Sequence, residues 1–244
     1  MTTRPTTGNT RPITTGWRKA TRARLRELVL AAFLIGTASA AVCEAQQSGA
    51  AAPQLYLQLG PALTVHAEGE QYHRASPPLK GTTFGGVAAI GVRLVPAVAL
   101  EFEALVDRSL SGAQTDVYNF VTTYTAESRD VVLGGNLRLR SGGRVPVEFA
   151  AGAGVVFTRF ARRNITSTDI FFGRTTQASD REETATNPTV SATLALAVPL
   201  SERVELVPAV GARWIRRPFD TEAWYFGVGR YQVFASVALR VAGG

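Results

Sequence analysis

The side chains that could do chemistry fall into two sets. His66 and His73 are the only histidines, and they share a polar stretch with Glu68 and Glu70, while Ser109 and Ser111 open a second polar stretch. A serine nucleophile, an imidazole base and an orienting carboxylate are the parts of an acyl-transfer site. Nothing in the spacing demands that assembly. Six residues separate the two histidines, which is not a metal-ligand spacing, and both read as solvated loop histidines. Gly227-Val228-Gly229 lies in a strand-like segment and opens no helix, so no dinucleotide or phosphate loop is present. One cysteine excludes a cysteine-built metal centre and a disulfide scaffold. The expectation is no catalytic residue, no cofactor, no metal and no enzyme.

The second set is Arg93, Glu101, Glu103, Arg138, Arg140, Glu148, Glu205, Arg213, Arg230 and Arg240. Each falls on the polar row of a segment whose other row is apolar. Ionised groups in a confined interior are expensive unless they pair. They are therefore expected to form an Arg/Glu network that plugs a narrow lumen. The alternative is a solvated set of charges near the lumen's mouth.

The elements that must position these charges alternate with period 2. In Val98–Asp107, Val98, Leu100, Phe102, Ala104 and Val106 make one row and Ala99, Glu101, Glu103, Leu105 and Asp107 the other. A helix would scatter the two glutamates among apolar neighbours, whereas a strand sets both on one side. The same split marks Asp130–Arg140, Val145–Phe157, Thr189–Val198 and Tyr231–Val241, and more weakly Gln54–Val65, Phe84–Leu94 and Val204–Ile215. These eight strands are each near the ~9–11 residues that cross a bilayer at a tilt. Short connections at 95–97, 141–144 and 201–203 alternate with long polar ones at 66–82, 109–129, 161–187 and 217–224. That rhythm puts every long loop at one end of an antiparallel meander.

The 244 residues are 45% hydrophobic, too apolar for a disordered chain. The net charge of +7 misleads, because residues 1–45 hold 7 Lys/Arg against 2 Asp/Glu, and the remainder is nearly balanced at 19 against 17. Nucleic acid is therefore not an expected partner. The basic run Arg18, Lys19, Arg22, Arg24 and Arg26, the apolar core Leu28–Ile35 and the small residues after it have the order of a secretory signal peptide. Cleavage after Ala40 or after Ala45 fits, and the second is preferred because the polar linker 46–52 follows it. Cys43 would leave with the signal, so the exported chain would carry no cysteine. Residues 53–244 would form the folded domain.

Signal, eight alternating strands and connection rhythm together resemble the small eight-stranded outer-membrane β-barrel superfamily, of the OmpA membrane-domain-like and opacity-protein-like types. The resemblance covers residues ~53–241, essentially the whole exported chain. It implies an all-β, eight-stranded antiparallel up-and-down transmembrane barrel in the bacterial outer membrane. The apolar rows would face lipid, and Gly91, Gly152, Gly154, Ser191, Ala195, Gly211 and Ser236 would make room inside. Phe84, Phe157, Trp214 and Tyr225 would form an aromatic girdle near the long-loop ends. The chain departs from the family at Arg240-Val241-Ala242-Gly243-Gly244, where an aromatic residue usually stands last. Pro61 and Pro208 fall inside strands, where bulges or shifted strand limits are expected.

The implied role is surface interaction or envelope integrity, through long extracellular loops. Outer-membrane lipid is the expected partner, together with an extracellular ligand or surface. Ile170, Phe171 and Phe172 form an apolar tip in the longest loop, suited to a partner, to a neighbouring membrane, or to packing on the loop itself. Two other roles compete. One is a lipid A acyl hydrolase or transferase at the rim, and the other is a secreted lipocalin-like barrel. The second usually brings a helix before its last strand, and no such helix is visible here.

Overall fold

A computed structural model describes residues 53–69, 78–217 and 226–243. The signal segment 1–45 and linker 46–52 lie outside the described residues, as do Glu70, His73 and Tyr225.

Every described element is a strand. In chain order they are β1 Gln54–Glu68, β2 Gly81–Val95, β3 Val98–Asp107, β4 Leu110–Val117, β5 Phe120–Arg140, β6 Val147–Asp169, β7 Thr175–Gln177, β8 Arg181–Leu196, β9 Val198–Pro199, β10 Val204–Ile215 and β11 Val228–Ala242. β4 continues the line of β3 and β9 that of β8, and β7 is a short lip on β6. Eight staves remain. Each pairs antiparallel with its sequence neighbours, and β1 pairs with β11, for example Leu57 with Val241 and Val65 with Val233, so the sheet closes on itself. Closure leaves no open edge around the ring, and every stave finds partners on both sides.

Inside and outside are inverted relative to a soluble protein. Phe102, Leu194 and Leu196 lie exposed on the outer surface, while Glu101 and Arg138 are buried, each 4% exposed. Leu55, Leu57, Leu59, Ile90, Leu137, Val190, Val233 and Leu239 join the outer apolar surface. The period-2 rows thus have the orientation expected from the sequence.

Two strands end where the alternation placed them, Val98–Asp107 and Val204–Ile215, and others run further. The stretch 109–129 is a hairpin of β4 and the first half of β5, closed by Tyr118-Asn119. The stretch 161–187 is built from β6, β7 and the start of β8. Polar alternation of Thr, Ser and Arg hides these extensions, because beyond the apolar band of the exterior neither face of a strand has to be apolar throughout.

The expected bulges at Pro61 and Pro208 do not occur. Pro61 sits opposite Gly86 in an unbroken β1–β2 ladder. On its other side the β1–β11 register runs from Leu59–Leu239 to Ala62–Ser236 without a shift. Pro208 pairs with Val237 on β11, while its β8/β9 side is where the stave breaks between Leu196 and Val198. Each missing N–H interrupts one ladder locally and leaves the register intact. Register shifts fall instead at His66/Glu68, Arg93/Val95 and Thr123/Thr125.

Candidate functional site

The lumen is packed in layers. The lowest, at the short-turn end, is ionic. Strand register supplies its first contacts, setting Arg140 opposite Glu148 on β6, and Arg240 between Glu205 on β10 and Gln58 on β1. Arg138 bridges Glu101 at 2.5 Å and Glu148 at 3.0 Å. Arg140 reaches Glu148 at 3.0 Å and Glu205 at 2.6 Å. Arg240 donates to both Glu148 oxygens at 2.7 Å and to Glu205 at 3.0 Å. Arg93 stands 3.9 Å from Glu205 and donates to Gln54. Glu148 is the hub, 1% exposed and shared by three guanidinium groups.

Sequence reasoning missed two members of this layer. Tyr56 donates its hydroxyl to Glu101 at 2.9 Å, and its ring lies 4.8 Å beneath the Arg240 guanidinium. Gln58 accepts from Arg240 Nε and Nη2. Both sit on the inner row of Gln54–Val65, so parity alone would have found them. A small hollow lined by Tyr56, Arg93, Arg138, Arg140, Glu148 and Arg240 opens at this mouth.

The middle layer is apolar: Ala62, Val87, Leu105, Val132, Val156, Ile215, Phe234 and Ala238. Arg213 lies in this region, 2% exposed, with its guanidinium 4.9 Å from the Phe234 ring centre. Glu103 is 3.8 Å away, too far for a hydrogen bond, and Arg213 donates from Nη1 to Gln232. Arg213 is thus joined only loosely to the charges below it. Arg230 stands higher, half-buried at the start of β11. The other eight charges named from the sequence lie within five residues of the short-turn ends of their strands.

A second polar layer lies near the other end. Arg217 pairs with Asp130 at 3.0 Å and donates to Thr158 and to the Gly229 carbonyl. Asp130 also accepts from Thr158 at 2.6 Å and Gln232 at 2.6 Å. Gln232 in turn meets His66 Nδ1 at 3.2 Å, and His66 Nε2 meets Thr83 at 2.9 Å. His66 is therefore not a solvated loop histidine. It stands near the end of β1 with its ring buried in the lumen and engaged at both nitrogens, because the strand runs three residues past the apolar pattern. Asp107, on β3, accepts from Thr64 in the same region. Parity places His66, Asp107, Asp130, Thr158 and Gln232 inside, but Arg217 follows the end of β10, where alternation gives no guidance.

Above this layer a separate apolar cluster fills the extended part of the barrel: Leu79, Leu110, Tyr124, Phe160, Ile165 and Phe226, with Ala126 and Val228. Phe160 meets Phe226 edge-on at 5.8 Å, and Arg162 lies over Tyr124 and Phe226.

On the outer surface Phe84, Phe157 and Trp214 face away from the lumen. Each stands ten or eleven residues from the short-turn end of its strand, and so does outward-facing Tyr231. They share one level. For Phe157 that level is mid-strand, because β6 continues to Asp169.

The longest strands carry two turns well past this level. Tyr118-Asn119 joins β4 to β5, and Ile170–Arg174 joins β6 to β7. Ile170 N donates to Asn119 O, so the turns lie side by side. Phe171 and Phe172 are about four-fifths exposed and do not fold back onto their loop. Along the shaft Arg163 lies near Asp180, Glu182 and Glu127, and Arg159 bonds Glu182. That hydrogen bond holds the Glu182 carboxyl below the usual carboxylate range. Glu68 pairs with Lys80. Ser109 and Ser111 are exposed where β3 passes into β4.

No protein-family model matches the chain, and no curated protein matches it. Among solved structures, a major outer membrane protein from Thermus thermophilus is similar at a TM-score of 0.45 and 14% identity, covering 77% of this chain and 99% of that one. Neisserial surface protein A is similar at 0.43 and 11%, covering 77% and 96%. The outer membrane protein OprG from Pseudomonas aeruginosa is similar at 0.43 and 10%, covering 78% and 96%.

Proposed function

We propose that this protein is exported through residues 1–45 and resides in a bacterial outer membrane as a closed barrel. It neither conducts nor catalyses. It serves surface interaction or envelope integrity through its projecting hairpins. One observation carries the reading: a continuous exterior of Leu, Val, Ile and Phe surrounds a lumen holding buried Arg, Glu, Asp and Gln. That inversion is stable only where hydrocarbon is the solvent. The level of Phe84, Phe157, Trp214 and Tyr231 fits one membrane interface, since ten or eleven residues of tilted strand span the apolar zone. Stacked ionic and apolar layers argue against free conduction, which needs a wider barrel. The engagement of both His66 ring nitrogens argues against that residue as the base of an acyl-transfer site.

Membrane fractionation, with gel mobility before and after boiling, tests the reading. We expect the chain in the outer-membrane fraction, with a compact form that unfolds only on heating. A chain that stays soluble without detergent overturns it. Replacing His66 and His73 should leave lipid A unchanged.

A further inference from the structure

We propose that the paired hairpin tips form an aromatic wedge that enters the interface of a second, zwitterionic lipid bilayer facing the cell; this rests on the outer-membrane reading above. Tyr118, Phe171 and Phe172 are 82%, 80% and 78% exposed. Val117, Phe120 and Ile170 are about half exposed beside them. The hydrogen bond between the turns and the pairing of Phe120 with Asp169 bring all six into one patch.

This patch cannot serve the protein's own membrane. Asp169 lies twelve residues beyond girdle residue Phe157 along β6. At ~3.3 Å per residue and a tilt of ~40°, the turn stands about 30 Å beyond the girdle.

Three features favour a bilayer over a shaped protein groove or a polyanion. The first is satisfied backbone. Asp169 N donates to Arg174 O, Ile170 N to Asn119 O, Phe171 N and Phe172 N to the Asp169 carboxylate, and Gly173 N to Asp169 O. Tyr118 N donates to Phe120 O. Five consecutive amides thus lose no hydrogen bond when water leaves, which lowers the cost of bringing the turn into a membrane interface.

The second is rigidity. Asp169 caps the turn, and Gly173 takes φ +64°, where a side chain would be strained. The backbone that carries the aromatic rings is therefore ordered before contact.

The third is charge. Between Ser109 and Ala126 the only ionisable acid or base is Asp116, apart from the Tyr118 and Tyr124 phenols, and between Asn164 and Gln177 only Asp169 and Arg174. The shaft there is Thr and Ser, including Thr122, Thr123, Thr166, Ser167, Thr168, Thr175 and Thr176. A tip without clustered Lys or Arg is poorly suited to sulfated glycans, nucleic acid or anionic lipid. Tyr and Phe suit the headgroup boundary of a neutral membrane.

The test uses the full exported chain held in nanodiscs and mixed with phosphatidylcholine vesicles. We expect capture by the vesicles that barely changes between low and high salt. Y118S/F171S/F172S should weaken capture at least 100-fold, since each buried aromatic is worth about tenfold or more. Its boiling-dependent gel mobility should stay that of the parent. In F171W, added fluorescence should be quenched when brominated lipid is present in the vesicles alone. No capture by vesicles, equal capture of the triple variant, or capture that needs anionic lipid and fades with salt each overturns the wedge. A protein partner that binds the tip while vesicles do not also overturns it. Failure to enter nanodiscs overturns the barrel reading and the wedge together.

Discussion

Glu148→Gln is the sharpest probe of the lower lumen. The substitution keeps the side chain's shape and removes one charge. Glu148 is 1% exposed and takes contacts from Arg138, Arg140 and Arg240 at 2.7–3.0 Å. The layer holds four arginines, Arg93, Arg138, Arg140 and Arg240, against Glu101, Glu148 and Glu205. The variant leaves those four facing two carboxylates. At an effective dielectric near 20, each lost contact is worth about 4 kcal/mol gross. Most of that is offset by relaxation and by the remaining partners. Breaking a buried pair by removing one member costs about 3–5 kcal/mol net. We expect a loss of that size in urea unfolding from lipid vesicles, followed by tryptophan fluorescence and gel mobility. Glu182→Gln is the control, because Glu182 is exposed on the hairpin shaft and should show no measurable loss. A cost for Glu148→Gln below about 1 kcal/mol would mean that water already screens the layer, and the sealed-lumen reasoning would fail.

Leu59→Arg tests the exterior: Leu59 is exposed five residues from the start of β1, so the change should cost about 2–4 kcal/mol near the bilayer midplane. In water the same exposed position would tolerate it within about 0.5 kcal/mol, and that result would remove the lipid-facing assignment. Gly91→Val should destabilise by about 1–3 kcal/mol, read in the same unfolding assay, because a side chain there meets the Tyr56 ring that bonds Glu101. Planar-bilayer recording of the parent chain should show no steady conductance.

The sequence reveals the in–out parity of the strands better than their length. Inside the apolar band one row must be apolar, so Val98–Asp107 and the rows flanking Arg138 and Arg240 read cleanly. Past the girdle that constraint lapses, and the Thr/Ser alternation of β4, the first half of β5 and the far half of β6 looks like loop. The same lapse makes His66 look solvated. Long-range partners are hidden for a different reason. Parity puts Glu101, Arg138 and Glu148 inside, but which guanidinium meets which carboxylate depends on register across six strands. No local spacing encodes that register. Arg217 shows the limit, because it joins Asp130 from a position after its strand has ended.

Packing couples the layers, and that coupling bears on function. Inner glycines stand where larger neighbours cross the lumen: Gly91 under Tyr56, Gly211 under Phe234 and Gly152 beside Asn136. Tyr56 also holds Glu101, and Phe234 lies against Arg213. Opening a path through the ionic layer would move Tyr56 into space its neighbours occupy and strand at least one buried charge. A swing of Arg213 would uncover Phe234 in the middle layer. Permeation would therefore need several layers to rearrange together, each paying for unpaired polar groups in a narrow interior. The hairpin tips carry no such constraint. Their turns are closed by their own hydrogen bonds and stand clear of the barrel's packing, so surface chemistry can change there without disturbing the sealed core. The proposed interaction at the tips is compatible with this arrangement.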